Sequence, residues 1–436
     1  MVDLIKINKN WAQKVNTNCL CSGCGLCQSI SAGEIVINID SNGYIRPTLV
    51  NSVSPEVEAR LDDICPGRHI EHDPSELNNY YHILWGPLLH TREGYATDQE
   101  IRFRGSSGGV ISALAIYLLQ SNKVDYVLHT IASVSNPLLN SLHISRSYTD
   151  VLAASGSRYS PSAPLIDFEN YLAGPEKFAF IGRPCDVAAL KNYARFDKRI
   201  REKVCYTISF MCAGIPSIKG TIALLKQFGL AESSIRSVRY RGEGWPGSMV
   251  FETMNGERFS MDYEKSWGFL SKFLQFRCKV CPDGVGEFSD ISCGDAWFLK
   301  EGKPDFSEKN GRSILMTRTE RGEQLILDSI QEGYLTAMPM NVGDLLLMQP
   351  YQAMRKKLVA SRVHALKVLG VQIPNYKNMQ LEIAAKHAGI KTYIESFLGT
   401  LIRVLLQTSM ETPHLCGIRK VISNSLSHSF RKPHKE

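Results

Sequence analysis

The sequence predicts a mixed α/β protein with three parts: a small cysteine-rich N-terminal domain, an α/β domain and a mainly helical C-terminal region. Three observations carry this prediction. Four cysteines lie within nine positions in CLCSGCGLC, residues 19–27. From about residue 86, strand-like and helix-like segments alternate, as in α/β domains. Beyond about residue 300 the pattern becomes mainly helical, and 436 residues are enough for several cores.

The composition excludes several classes of protein. With 44% apolar and 21% charged residues, the chain is typical of a soluble globular protein. The net charge of +7 is too small and too evenly spread to indicate nucleic-acid binding. MVDLIKINKN lacks an apolar signal region, and no apolar run reaches the roughly eighteen residues that span a bilayer, so we expect a cytoplasmic protein.

The cysteines indicate metal or redox chemistry rather than a disulfide framework. Seven of the twelve lie in CxxC-type arrays or beside a proline. Within the N-terminal domain, residues 1–85, Cys21, Cys24 and Cys27 have the CxxCxxC spacing that can bind three irons of a 4Fe-4S cluster. Ser31 occupies the position of the fourth cysteine of a ferredoxin-type loop, so we assign that role to Cys65 in ICPG. A four-thiolate zinc site is the alternative, which the third evenly spaced cysteine disfavours.

The α/β domain, residues 86–300, contains repeated units of strand, short loop and helix. GSSGGVISALAIYLLQSNK predicts a glycine-rich turn and a helix over 105–123, followed by a strand over 124–131. In two later units, KFAFIG leads to Cys185 and YTISFM leads to Cys212, each before a helical segment. Ligands collect at the carboxyl ends of strands in open α/β sheets, so both cysteines are candidate ligands. The GSSGG turn could bind a phosphate at the helix N-terminus, although most such turns bind nothing.

A second cysteine array follows in FRCKVCPDGVGEFSDISCGDAW, residues 276–297. Cys278 and Cys281 form a CxxC pair, which alone is also compatible with a zinc half-site or a thioredoxin-like dithiol. The proline and glycines after it disfavour the helix that the dithiol requires. Together with Cys185 and Cys212, the pair could surround a second cluster, with Cys293 as a reserve ligand.

Two further segments complete the predicted architecture. Residues 236–261 indicate a β-meander, with a type I′ hairpin turn at Asn255-Gly256. In the C-terminal region, residues 301–436, TYIESFLGTLIRVLLQ predicts a helix over 392–407 ahead of a basic tail. A core-facing helix is the favoured interpretation, and an interfacial membrane helix or a partner-docking helix is the alternative. The basic tail contains Arg419, Lys420, Arg431, Lys432 and Lys435.

Several of these stretches, in one order from Cys21 to Trp297, resemble the coenzyme F420 hydrogenase/dehydrogenase beta-subunit family, which includes the 7-hydroxymethyl chlorophyll a reductases. The matching stretches are CSGCGLC, IDSNGYIRPTLV, ICPG, FRGSSGGVISAL, GSRYSPS, IGRPCDVAAL, FMCAGIPS, RYRGEGWPG and RCKVCPDGVGEFSDISCGDAW. The resemblance implies a ferredoxin-like iron-sulfur domain before a flavin-binding α/β domain, with electrons passing between clusters and FAD.

The resemblance also implies roles for individual residues. Ligands of the first 4Fe-4S cluster would be Cys21, Cys24, Cys27 and Cys65, and those of the second would be Cys185, Cys212, Cys278 and Cys281. Flavin-binding residues would be Ser106, Ser107, Gly108, Gly109, Ser157, Arg158, Tyr159, Gly182 and Arg183. The family's usual GTPCQ reads GRPCD here, and a positive Arg183 beside the flavin ring would raise the flavin potential.

We therefore expect an iron-sulfur flavoprotein oxidoreductase that exchanges electrons with a small molecule such as coenzyme F420 and with ferredoxin or another redox protein. The rival functions are a non-catalytic electron-transfer subunit and a zinc-bound structural protein. No residue is assigned as a catalytic acid or base, and Asp295 could either orient a proton donor or stabilise a turn. Four histidines are interpreted as surface or structural residues: His69, His72, His129 and His143. The oligomeric state is left open.

Overall fold

A large mixed sheet forms the centre of the molecule. The structure is a computed structural model and describes residues 11–17, 19–78 and 80–409. In chain order, its strands are β1 (Ile35–Ile39), β2 (Ile45–Leu49), β3 (His69–Glu71), β4 (Tyr81–His82), β5 (Gly86–Pro87), β6 (His90–Ala96), β7 (Tyr126–Ala132), β8 (Asn140–Ser145), β9 (Phe178–Gly182), β10 (Val204–Phe210), β11 (Ile235–Arg239), β12 (Met249–Thr253), β13 (Arg258–Met261), β14 (Ile291–Asp295), β15 (Phe298–Lys300), β16 (Lys303–Asp305), β17 (Ser313–Thr317), β18 (Leu335–Pro339) and β19 (Asn375–Lys377).

Helices cover the sheet and form most of the C-terminal part. They are α1 (Trp11–Thr17), α2 (Leu26–Ile30), α3 (Pro55–Ile64), α4 (Gln99–Arg104), α5 (Val110–Gln120), α6 (Tyr148–Ala153), α7 (Phe168–Ala173), α8 (Pro184–Tyr193), α9 (Arg199–Lys203), α10 (Ile218–Gln227), α11 (Tyr263–Leu270), α12 (Phe276–Lys279), α13 (Glu320–Gln331), α14 (Asp344–Met348), α15 (Pro350–Val368), α16 (Leu381–Lys386) and α17 (Ile390–Ser409). Three short 3-10 helices span Pro74–Glu76, Glu232–Ser234 and Ser271–Phe273.

The strand order of the main sheet confirms the predicted mixed α/β class. Among the described residues it has eight strands in the order β18-β6-β17-β14-β10-β9-β7-β8. The four strands β14, β10, β9 and β7 run parallel, whereas the outer pairs are antiparallel. All five residues of β9, FAFIG, are buried, as expected for a central parallel strand covered on both faces.

The predicted strand-loop-helix units are confirmed and set the position of two cysteines. β9 continues through Arg183 into α8, with Pro184 at its first turn, where a missing N–H costs nothing. β10 leads through Cys212 towards α10. Because β9 and β10 pair in parallel, with Ile181 opposite Ile208, the loops at their carboxyl ends are neighbours.

The meander is confirmed as the antiparallel sheet β11-β12-β13, but the predicted type I′ turn is wrong. That turn needs a positive φ at both central residues, and of the two only Gly256 has one, at 87°. The Thr253 amide donates to Glu257 O at 2.9 Å, and the Gly256 amide donates to Thr253 O at 3.0 Å. The connection is a three-residue loop in which glycine provides the single left-handed position.

The prediction that the chain becomes mainly helical beyond about residue 300 places the boundary too early. β17 lies between β14 and β6 in the main sheet, and all five of its residues are buried. β18 then pairs with β6 at the sheet edge. The helical part begins only with α14 at Asp344.

The N-terminal part packs on the sheet through apolar side chains. Leu26 and Ile35 belong to the same buried cluster as Phe178 and Phe180 of β9. The linker strand β3 pairs in parallel with β19 of the C-terminal region. The N-terminal cysteine loop is therefore held between the sheet and the last third of the chain, while its ferredoxin-like character stays a prediction.

The predicted helix over 392–407 is confirmed within α17, which packs against α15. Its exposed side carries apolar residues at helical spacing: Ile390, Ile394, Leu398 and Ile402. The basic tail lies outside the described residues. Across the described part of the chain, no helix combines the length and the apolar character needed to cross a bilayer.

Candidate functional site

The first thiol set consists of Cys21, Cys24, Cys27 and Cys65. Cys21 and Cys24 lie on the turn that leads into α2, where Gly25 has a φ of 89° that favours glycine, and Cys27 lies in the first turn of α2. Cys65 caps the C-terminus of α3. Burial raises the pKa of the Cys27 thiol, and the neighbouring Cys24, Cys21 and Cys65 raise it further. These interactions place the four sulfur groups close together, as the sequence predicted.

The second thiol set consists of Cys185, Cys212, Cys278 and Cys281. Cys185 lies in the first turn of α8, Cys212 follows β10, and the CxxC pair spans the end of α12. Burial raises the pKa of Cys212 to about 12, with Cys278 and Cys281 among the groups that contribute. Burial likewise raises the pKa of Cys185, and both Cys212 and Cys281 add to the shift. Three distant segments thus bring their thiols together.

Backbone amides point at sulfur atoms in both sets. The Gly23 amide donates to Cys21 Sγ at 3.3 Å, and the Ile215 amide donates to Cys278 Sγ at 3.4 Å. Hydrogen bonds from Leu26, Gly67 and Gly214 oppose the effect of burial on the pKa of Cys24, Cys65 and Cys212. Such donors stabilise deprotonated sulfur and recur around metal-bound thiolates. The donor sets therefore fit a thiolate-ligated group.

Different kinds of metal group require different spacings of their thiolates. Within the described residues, no three or more His, Cys, Asp and Glu side chains are arranged to hold a single metal ion. A zinc ion needs its thiolates at about 2.3 Å, so their sulfur atoms crowd within roughly 4 Å of one another. A four-iron cluster binds each thiolate to a different iron and holds the sulfurs farther apart. The described cysteines form no disulfide.

The two thiol sets are adjacent, and Gln275 connects them. Its Nε2 group lies 3.4 Å from Ser22 O in the first cysteine loop and 3.6 Å from Cys278 Sγ. Its Oε1 atom accepts a 3.1 Å hydrogen bond from Arg46. Sequence reasoning missed Gln275, because an isolated glutamine three residues before a CxxC pair carries no recognisable motif.

The expectation for Arg183 requires a correction. Its guanidinium forms two 2.7 Å hydrogen bonds with the Asp186 carboxylate, and both side chains are almost fully buried. The other contacts of Arg183 are with Ser162 O and Ser22 O. The two departures from the family pattern therefore compensate each other, so Arg183 supplies no net positive charge. It lies with the thiol sets.

The loop of residues 105–109, here called the Gly/Ser loop, meets the second predicted flavin-contacting stretch. Ser106 Oγ accepts a short hydrogen bond from the Ser157 amide. Gly109 has a φ of 74° and precedes α5, whose first turn has no side-chain cap. A Cβ added at Gly108 would lie only 2.8 Å from Gly94 O. Glycine is therefore required for the loop to approach the sheet.

Other predicted flavin residues are already engaged with protein groups. Ser107 Oγ donates to Arg312 O at 3.0 Å and accepts from Ser313. Arg158 directs its guanidinium to three carbonyl groups and to Asn140 Oδ1 at 2.8 Å. Tyr159 packs against Trp267 with ring centroids 4.8 Å apart. These side chains stabilise the walls of the region around the loop.

Gly182 and Arg183 are not brought to the Gly/Ser loop. The loop packs against β6, β14 and β17, whereas Gly182 ends β9, and β10 separates β9 from β14 in the sheet. An added Cβ at Gly182 would lie 2.5 Å from the Phe180 ring. The predicted cofactor residues therefore occupy two places, one at the loop and one beside the thiol sets.

A buried polar and aromatic group near the loop was not assigned from the sequence. Asp295 accepts two hydrogen bonds from Arg241, at 2.9 and 3.0 Å, and one of 2.8 Å from Trp245 Nε1. The Trp245 ring stacks on Trp297 with centroids 4.7 Å apart. Asp295 therefore holds Arg241 and Trp245 together, and its two predicted roles, orienting a proton donor or stabilising a turn, stay predictions. These residues lie in two stretches that the sequence singled out, RYRGEGWPG and CGDAW, but the contacts between the two stretches depend on the fold.

A second buried network involves His72, which is not a surface residue. Its Nδ1 lies 2.9 Å from Glu76 Oε2, and its Nε2 lies 3.0 Å from Glu287 Oε2. Glu287 also forms a 2.5 Å ion pair with Lys356 of α15.

Cys293, the reserve ligand, lies in the core of β14, where burial alone raises its pKa to about 12. It belongs to neither thiol set.

The fold and this site define a class: mixed α/β proteins that gather buried or half-buried thiols in two neighbouring sets and carry a glycine-rich loop at a separate place on the sheet. The N-terminal family model "Coenzyme F420 hydrogenase/dehydrogenase, beta subunit N-term" matches residues 91–168, and the corresponding C-terminus model matches residues 175–342. The chain belongs to the coenzyme F420 hydrogenase/dehydrogenase beta-subunit family.

Comparison with characterised proteins gives similar relatives. A coenzyme F420 hydrogenase subunit beta from Methanococcus voltae is 26% identical over 293 residues, which cover 64% of this chain and 95% of that protein. A coenzyme F420-dependent sulfite reductase from Methanocaldococcus jannaschii is 23% identical over 321 residues, which cover 70% of this chain and 45% of the reductase. A chain of the F420-reducing [NiFe] hydrogenase complex from Methanosarcina barkeri matches with a TM-score of 0.48 at 19% identity, covering 76% of this chain and 95% of that chain.

Proposed function

We propose that this protein is an iron-sulfur flavoprotein oxidoreductase that transfers electrons between a small molecule and a redox protein. The observation that carries the proposal is the presence of two sets of four buried or half-buried thiols, adjacent to each other and connected by Gln275. Each set would hold one 4Fe-4S cluster through its four thiolates, and FAD would bind at the Gly/Ser loop. When bound, FAD supplies two-electron chemistry and the clusters supply one-electron transfer.

The chain itself contributes ligation, burial and orientation. The amides that point at Cys21 and Cys278 would stabilise their thiolates, and the apolar cluster around Cys24 and Cys27 would exclude water and oxygen. At the Gly/Ser loop, the uncapped first turn of α5 offers backbone N–H groups to a flavin phosphate. Arg241 and Asp295 would keep the aromatic wall in place beside it.

Coenzyme F420 is the favoured small-molecule substrate, because the hydrogenase, formate dehydrogenase and sulfite reductase relatives carry its name. Ferredoxin or another redox protein would be the one-electron partner. A non-catalytic electron-transfer subunit is the second candidate, since relatives such as the Methanococcus voltae protein are named as beta subunits. In that case the substrate would react on a partner chain.

The test is anaerobic purification of the full chain, followed by iron, sulfide and flavin analysis. We expect about eight irons and one FAD per chain, and reduction of the flavin by reduced F420. NADPH and reduced ferredoxin serve as alternative reductants. A cofactor-loaded chain that accepts electrons only within a complex would identify the subunit, and a colourless chain with stoichiometric zinc would contradict both proposals.

A further inference from the structure

Arg277 is a buried cation without a carboxylate partner. It is only 2% exposed, and its Nη2 group donates to Pro66 O at 2.8 Å. Its Nε and Nη1 atoms are buried without a hydrogen-bond partner, and no described carboxylate forms a salt bridge with it. An unpaired buried charge is costly, so a protein retains one only where a negative group compensates it.

The position of Arg277 identifies where that negative group would lie. Pro66, its hydrogen-bond acceptor, directly follows Cys65 of the first thiol set, and Arg277 itself directly precedes Cys278 of the second. Its charge interacts with the Tyr376 hydroxyl and with three thiols, those of Cys281, Cys185 and Cys278. Its effect on Cys65 is to lower the pKa of that thiol against the larger effect of burial. Arg277 thus lies between the two sets, with more thiols of the second around it.

Arg355 of α15 is a second buried arginine at the second thiol set. It is 5% exposed and donates to Cys212 O at 2.8 Å and to Ala213 O at 2.6 Å. Its only side-chain hydrogen-bond partner among the described residues is the Tyr351 hydroxyl, at 3.3 Å. The acidic groups that interact with its charge are the Tyr351 hydroxyl and two thiols, those of Cys281 and Cys212.

The arginines near the first thiol set are different, because carboxylates compensate them. Arg46 donates to Ile45 O at 2.7 Å beside Cys21, and its Nε lies 4.0 Å from Asp40 Oδ2. Arg183, which reaches Ser22 O, is neutralised by Asp186. The uncompensated positive charge is therefore concentrated on the second set.

We propose that Arg277 and Arg355 are the counter-cations of an anionic cluster bound by the second thiol set, and that they raise its reduction potential above that of the first. This inference rests on the proposed function, since it requires both clusters. Reduction adds one electron from an external reductant to a group that already carries four thiolates, and no bond breaks. Nearby positive charge favours the more negative, reduced form.

The test is a redox titration of the anaerobically purified full chain, monitored by electron paramagnetic resonance, with mediators and dithionite as reductant. Arg277→Met and Arg355→Met should each make the second cluster harder to reduce by at least tenfold, which is about 59 mV for one electron. Arg277→Lys retains the charge and should shift the potential much less. The Cys185→Ser variant, which lacks one thiol of the second set and should lose its cluster, assigns the two signals.

Arg318→Met is the matched control for the loss of a buried arginine. Arg318 is also buried with an unpartnered Nε, but the charges that face it are Asp283 and Glu287. It should leave both cluster potentials unchanged.

Intact iron content with unchanged potentials in both methionine variants would overturn the inference and leave the proposed function standing. A first cluster with the higher potential in the unaltered protein would overturn it too. If Arg277→Met fails to fold, Arg355→Met decides the outcome. An unaltered chain without iron would contradict the proposed function and remove the inference with it.

Discussion

The two thiol sets of this protein are built in opposite ways. The first takes three of its four cysteines from one short turn and the fourth from the end of α3, so its geometry is mostly local. The second takes its cysteines from the ends of two parallel strands and from the end of α12 and the turn after it, so it exists only when the sheet is assembled. Its surroundings differ as well, since buried arginines without carboxylate partners lie against it. A local motif is enough to define the ligands of the first set. For the second set, the tertiary fold determines both which thiols meet and which charged side chains surround them.

The sharpest test of this comparison is to remove one thiol from each set. We expect Cys185→Ser to lose about four of about eight irons and Cys24→Ser to lose the other four, because each set holds its cluster independently. Iron and sulfide analysis after anaerobic purification measures this. Cys205→Ser is the control, since Cys205 lies in β10 with its thiol directed to Lys203 O.

Loss of all iron in both variants would contradict the prediction that each set holds its cluster independently, and would indicate one metal group shared by the two sets. Unchanged iron in Cys185→Ser would disprove the second set alone. An intact first cluster in Cys185→Ser would separate a local ligand failure from general unfolding, which removes both clusters.

The sequence predicted the local features of the site better than the long-range ones. CSGCGLC fixes the spacing of Cys21, Cys24 and Cys27, and glycine at Gly25 is required by its positive φ, so this turn could be read directly. The strands at 124–131 and 178–182 and the helices after them were also predictable, because their apolar runs match buried strands.

Pairings between distant residues could not be predicted in this way. Nothing in GRPCD shows that Arg183 would bind Asp186 instead of a flavin, since that depends on burial by the first cysteine loop. Strand β17 was missed because a segment placed late in the chain inserts between β14 and β6. The unpaired state of Arg277 is likewise a consequence of tertiary packing.

The neutral pair Arg183-Asp186 provides the second test, of intermediate size. Arg183→Met should lower the free energy of unfolding by about 3–5 kcal/mol, because it leaves a buried carboxylate uncompensated. The double variant Arg183→Thr with Asp186→Gln, which restores the family's usual residue types, should recover most of this loss. Denaturant unfolding of the unaltered protein, Arg183→Thr, Asp186→Gln and the double variant gives the coupling energy as a double-mutant cycle.

If Arg183→Met and the double variant are equally destabilised, the two residues act separately and their compensation is disproved. A loss below about 1 kcal/mol in the single variant would mean that water or a relaxed loop solvates Asp186. Either result would weaken the contrast with Arg277, whose charge is compensated by no carboxylate in the described structure.

The smallest expected change in stability concerns the His72 network. This network connects the linker after Cys65 with the loop after Cys281. His72 faces Glu76 on one ring nitrogen and Glu287 on the other, so both nitrogens must carry protons to donate. Although burial opposes the charge, these two hydrogen bonds raise the pKa of His72. His72→Gln should cost about 2 kcal/mol of unfolding free energy. Denaturant unfolding as a function of pH measures the loss.

The pH dependence of that loss has a definite sign. The folded protein holds the His72 proton more tightly than the unfolded chain, so the contribution is complete below about pH 6.5 and disappears as the pH rises through the folded pKa. Other charges near His72 do not reverse this, since Lys356 is already paired with Glu287. The difference between the unaltered protein and His72→Gln should therefore shrink at alkaline pH.

His129→Gln is the matched control, because His129 is also a buried histidine but its pKa shifts in the opposite direction. Burial lowers the pKa of His129 to about 4, and its ring lies 2.7 Å from Ser145 Oγ. Between about pH 6.5 and pH 4, His129 is protonated in the unfolded chain but neutral in the folded protein. The stabilising contribution of His129 therefore declines as the pH falls through this range. If the loss of unfolding free energy changes with pH in opposite directions for the two variants, the stabilisation by His72 at acidic pH comes from its two carboxylate neighbours. Parallel slopes would instead show that burial, common to both sites, dominates, and that the network does not hold a charged histidine between Glu76 and Glu287.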